Sequence, residues 1–118
     1  MSAQALSNIR ILERSVEKDK NDKIAEGTIN KIIQFKIDKY KKELKTLEND
    51  LKVFEKKYKI DANQFFKDFE MGKLGDSIDF VEWSSLYKIY QRIVERKNIL
   101  EENENRYPDL FNEVNIEE

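Results

Sequence analysis

The chain has 118 residues, 39% of them charged and 39% hydrophobic, with 24 acidic against 22 basic side chains and neither Cys nor His. That length supports one domain with a thin core. The missing residue types exclude disulfides and thiolate metal sites and remove the commonest general base and metal ligand.

No apolar run approaches the roughly 20 residues a bilayer-spanning helix needs, and the N-terminus lacks a signal-peptide core, so a cytoplasmic location is expected. Residues 1–22 carry Leu6, Ile9, Leu12 and Val16 at steps of three and four, the pattern of a short amphipathic helix with Ser2 or Ser7 as its cap. The run KDKND closes that stripe as a solvated turn. Gly27 marks a break and Thr28 a restart, so the next helix is placed over 28–59. Within it Ile33, Ile37, Tyr40, Leu44, Leu47, Leu51, Phe54 and Tyr58 are spaced 4, 3, 4, 3, 4, 3, 4, an unbroken heptad seam.

The charges beside that seam indicate what covers it. With Ile37, Leu44 and Leu51 as a positions, a parallel homodimer pairs Lys36 with Lys41, Glu43 with Glu48 and Asp50 with Glu55. Every pair is like-charged, and each costs a few tenths of a kcal/mol. An antiparallel partner helix is therefore expected, and the chain supplies one over 77–105. There Phe80, Trp83, Tyr87, Tyr90 and Val94 follow the same step, and Leu86, Ile89, Ile93 and Leu100 widen the apolar face. Between the long helices, Asp61 and Gln64 resemble a capping box, and Phe65, Phe66 and Phe69 give a short helix over 61–71. Gly72 suits a left-handed C-cap. Asp76 or Ser77 caps the second long helix, with Asp79 and Glu82 as an alternative box. Residues 106–118 form an acidic tail that holds the only proline, with Leu110 and Phe111 as a docking point. The expected fold is all-α: an antiparallel, coiled-coil-like hairpin of two long helices, a short helix at the bend and a short N-terminal helix.

Asp76, Asp79 and Glu82 fall at steps of three on a helix start. They suit capping and the helix dipole better than a hard cation, because the loop lacks the alternating acids of a calcium site. GKLGD lacks the GK(S/T) ending of a phosphate loop. No catalytic residue, cofactor or metal ligand is assigned. At helical spacing Phe80, Trp83, Tyr87 and Tyr90 read as core or interface, and Trp and Tyr are frequent anchors of protein contacts. The candidate partner-binding surface is thus Phe80, Trp83, Tyr87 and Tyr90 with Asp76, Asp79 and Glu82. Charge is asymmetric as well: residues 1–60 hold 15 basic and 10 acidic side chains, residues 61–118 hold 7 and 14. Either the two halves attract each other or the acidic half meets a basic protein. Nucleic acid is disfavoured, because the lysines of 31–59 alternate with glutamates.

The stretch from 39 to 93 resembles small archaeal and bacterial antitoxin-like proteins with a charged coiled-coil helix, a K-Y-x-(I/M) joint and the motif F-x-x-F-E-x-G-x-L-G-D-x-x-D-F-x-E-W-x-x-L-Y. The joint positions here are Lys57, Tyr58 and Ile60, with Lys59 where glycine is common. The motif runs from Phe66, Phe69 and Glu70 through Gly72, Leu74, Gly75 and Asp76 to Asp79, Phe80, Glu82, Trp83, Leu86 and Tyr87. The resemblance implies a non-enzymatic protein that neutralises a small toxin encoded alongside it by covering the toxin's active surface. The residues alone also fit a homo-oligomeric coiled-coil scaffold and, less well, a nucleic-acid-associated helical protein. A homodimer or higher oligomer is expected in either case, since so thin a chain leaves apolar stripes to cover.

Overall fold

The structure, a computed structural model, describes the backbone of residues 2–106 and the side chains of residues 2–102. The acidic tail and its Leu110–Phe111 docking point lie outside the described residues. All regular structure among these is helical: α1 (Ala3–Lys18), α2 (Lys23–Tyr58), α3 (Ala62–Glu70) and α4 (Ile78–Arg106). By internal contacts the chain divides into two units, Met1–Phe35 and Lys36–Glu118.

In the first unit, Ser2 caps α1, its hydroxyl accepting from the Ala5 N–H at 3.1 Å. The KDKND run is a turn, and Asp22 ends it by accepting from the Ala25 N–H at 3.0 Å. That cap starts α2 five residues before the expected position. Gly27 is therefore helical, and Thr28 is no cap: its hydroxyl donates back to the Ile24 carbonyl at 2.8 Å. An aspartate already satisfying the first orphan N–H groups lets the helix propagate through a glycine that costs only about 1 kcal/mol. No described residue of this unit is buried, and Leu6, Ile9, Ile11 and Leu12 are each about half exposed.

The second unit holds the core. The a positions of the expected seam, Ile37, Leu44 and Leu51, are buried, while Tyr40, Leu47 and Phe54 at d are half-buried. Helix α2 packs against α4 as an antiparallel hairpin: Phe54 stacks on Trp83 at 5.6 Å, and Tyr58, one turn later, reaches back to Phe80 at 5.0 Å. At the bend α3 closes the end of the hairpin. Phe65 and Trp83, both 0% exposed, lie face to face at 3.8 Å and 6°.

Local chemistry fixes α3 at both ends. Asp61 accepts from the Gln64 N–H at 2.8 Å, but the reciprocal half of the box is absent. The Gln64 side chain donates to Asp68 instead. The first N–H of α3, on Ala62, donates to Glu55 of α2 at 2.8 Å. At the other end Gly72 takes φ +72°, and N–H groups of Gly72 and Lys73 reach the Phe69 and Asp68 carbonyls at 3.1 and 3.0 Å. These are the two bonds of a Schellman cap. Ser77 then caps α4 through the Phe80 N–H at 3.3 Å.

Candidate functional site

The aromatic corner divides the expected surface residues into an interior group and an exterior one. Trp83 is wholly interior, sandwiched by Phe65 on one side and Phe54 and Tyr58 on the other. The residue expected to anchor a partner is thus a core residue. Three elements converge on it because the bend places α3 over the α2–α4 seam. Its Nε1–H has no hydrogen-bond partner among the described residues, so ring packing, not polar contact, holds it there. Phe80 is half-buried against Tyr58 and Phe65 and belongs to the same cluster.

Asp79 is engaged within the chain too. Its Oδ2 accepts from Lys57 Nζ at 2.7 Å and from the Tyr58 hydroxyl at 2.5 Å, tying the end of α2 to the first turn of α4. Hydrogen bonds from Lys57 and then Tyr58 hold the Asp79 carboxyl below the usual range. The same bond to Asp79 pushes the Lys57 ammonium and the Tyr58 hydroxyl above theirs. Asp76 and Glu82 are exposed and do not join it. The three acids therefore do not converge, and no cluster of three metal-ligating side chains occurs among the described residues.

Tyr87 and Tyr90 lie outside the ring stack on Trp83, and Tyr87 packs on Phe66 of α3 with ring centroids 4.9 Å apart. Both tyrosines are half-buried, with ring centroids 6.2 Å apart, and the Tyr87 hydroxyl donates to Asn63 Oδ1 at 3.4 Å. They border a groove of about 300 Å³ lined by Leu51 and Ala62, with Glu48, Lys52, Glu55 and Asp61 around it. Burial first, then the neighbouring Tyr90 and Asp61, push the Tyr87 hydroxyl pKa up. A second groove, of about 450 Å³, continues from Tyr90 along α4 to Glu102.

Sequence reasoning missed Glu48, Glu55, Asp61 and Asn63 as members of this surface. Glu48 and Glu55 were legible as e positions of the seam, but only the bend puts Asp61 and Asn63 beside Tyr87. The arrangement offers aromatic faces and carboxylates, which suit recognition of a cation. No helix is long and apolar enough to cross a membrane among the described residues. Compared with models of protein families, with curated proteins and with solved structures, the chain matches none.

Proposed function

We propose that this chain is a non-enzymatic binding protein of the antitoxin kind, which neutralises a small toxin by covering the toxin's active surface. The observation that carries the reading is the acidic face beside Tyr87 and Tyr90, where half-buried tyrosines sit among Glu48, Glu55 and Asp61. Occlusion needs area, complementary charge and a few aromatic anchors, and no reacting group. The resemblance of residues 39–93 to antitoxin-like proteins supports the same reading. In this reading Tyr87 and Tyr90 supply the aromatic contact, while the buried Trp83 and half-buried Phe80 belong to the core behind them. The test is growth of cells induced for the neighbouring open reading frame, with and without this chain. Growth arrest by the neighbour that co-expression relieves is the expected result; arrest that persists beside soluble chain overturns the reading.

A homo-oligomeric scaffold is the second reading, favoured by α1. That helix shows an apolar stripe and buries none of it. Light scattering decides: a dimer or larger species that Leu6→Ser with Ile9→Ser returns to monomer supports the scaffold, and a monomer at all concentrations removes it.

A further inference from the structure

We propose that the groove running along α4 from Tyr87 to Glu102 is the docking site for a basic segment of the partner protein, with an arginine side chain seated between the two tyrosine rings and the carboxylates of Glu55 and Asp61. This deepens the binding reading above and rests on it for the existence of a protein partner.

Two carboxylates of the groove are held in place from within the chain. Glu55 is fixed by the Ala62 N–H at its Oε2, and Asp61 by the Gln64 N–H at its Oδ1. Each keeps a second oxygen for a ligand, so little side-chain freedom is lost on binding. Glu48 adds a third acid, and Glu95 and Glu102 continue the same sign along the adjoining groove.

Acidic side chains outnumber basic ones in the described lining of these grooves. Lys52 is the one cation among the described residues that borders these grooves. Elsewhere on the same helices Lys57 pairs with Asp79, Lys88 with Glu70 and Lys97 with Glu101. An acidic cluster alone is an ordinary solvated surface. Here it borders a cavity lined by two tyrosine rings, Leu51 and Ala62, and a guanidinium can stack on those rings while donating to carboxylates. An ammonium cannot form that planar, forked contact. Val94 and Ile99, between the acids on α4, offer apolar contact to the stem of such a segment.

The experiment is a titration of the isotopically labelled full chain, followed by amide shifts. The probe is a synthetic 15-residue peptide with Arg and Leu at helical spacing, compared with the same peptide carrying Glu in place of Arg. Shifts confined to Asn63, Tyr87, Tyr90, Val94 and their neighbours are expected with the Arg peptide only. Glu48→Lys with Glu95→Lys, both exposed positions, should weaken binding about tenfold or more, equivalent to at least about 1.4 kcal/mol. Glu13→Lys with Glu17→Lys on α1, an equal change of charge, should leave it unaltered.

Equal weakening by both pairs, or shifts spread over every acidic surface, reduces the effect to net charge and overturns the proposal. Groove shifts that depend on the chain's own concentration make the occupant a second copy and also overturn it. The two readings fail separately. Loss of peptide binding sinks the groove while rescue of growth can still hold, and a harmless neighbour sinks the antitoxin while the groove can still take its basic peptide.

Discussion

At the scale of single residues, Trp83 separates a core role from a surface one. A buried indole between three rings gains area burial plus about 0.5–1.5 kcal/mol for each well-placed aromatic pair. Exposed ion pairs such as Lys88 with Glu70 contribute about 0–1 kcal/mol. The rings therefore dominate the corner. Trp83→Ala should destabilise the chain by about 3–5 kcal/mol in urea unfolding. Trp83→Phe should cost much less, because no hydrogen bond is lost with the indole N–H. A Trp83→Ala variant of unchanged stability would show that the corner does not hold the unit together.

Asp79 gives a second prediction at this scale. Its lowered pKa means a contribution present above the ordinary aspartate value of about 3.9 and lost as pH falls through the lower folded value. Its partners Lys57 and Tyr58 have raised values, so their share is complete below about pH 10 and lost as pH rises through the folded values. Asp79→Asn should therefore flatten the loss of thermal stability as pH falls below about 4, as followed by circular dichroism. Identical acid profiles for the two proteins would show that the contact is too well solvated to contribute.

Among the elements, the joint between α2 and α3 is the informative one. Lys59 has φ +55°, the one non-glycine residue in the left-handed region among the described residues. A side chain there costs about 1–2 kcal/mol, while glycine loses about 0.5–1 kcal/mol of chain entropy. Lys59→Gly should thus stabilise the chain by roughly 0.5–1 kcal/mol in urea titration, and destabilisation by it would mean that the Lys59 side chain makes a contribution of its own. Gly72→Ala should act in the opposite sense by about 1 kcal/mol. Open space surrounds the Cβ it would add, so backbone strain and not crowding sets that cost.

For the whole molecule, the two units differ in how much they bury. Among the described residues the first has none buried, and the second holds every core residue from Ile37 to Ile93. Amide hydrogen exchange should accordingly find α1 open with little protection and the stretches around Leu51, Phe65 and Trp83 opening only with global unfolding. Protection of α1 that grows with protein concentration would identify self-association as what covers its stripe.

The heptad seam of α2, the caps at Ser2, Asp61 and Ser77, the left-handed Gly72 and the antiparallel pairing were all legible in the sequence, because each depends on residues within a few positions or on a sustained period. The start of α2 was misplaced at Thr28, since a glycine signals a break only when no nearby cap has already nucleated the helix. The fate of the aromatics was settled by tertiary structure alone. Spacing puts Trp83, Tyr87 and Tyr90 on one helical face, but α3 reaches only part of that face. Trp83 falls beneath Phe65 and leaves the surface, whereas Tyr87, against Phe66 and Asn63 at the edge of α3, and Tyr90 stay half-buried. The same bend carries Asp61 and Asn63 to Tyr87 across more than twenty residues of chain and gives Glu55 the first N–H of α3 as its partner. A sequence fixes which side chains share a helix face; how far a neighbouring helix extends over that face decides which of them become core and which remain to meet a ligand.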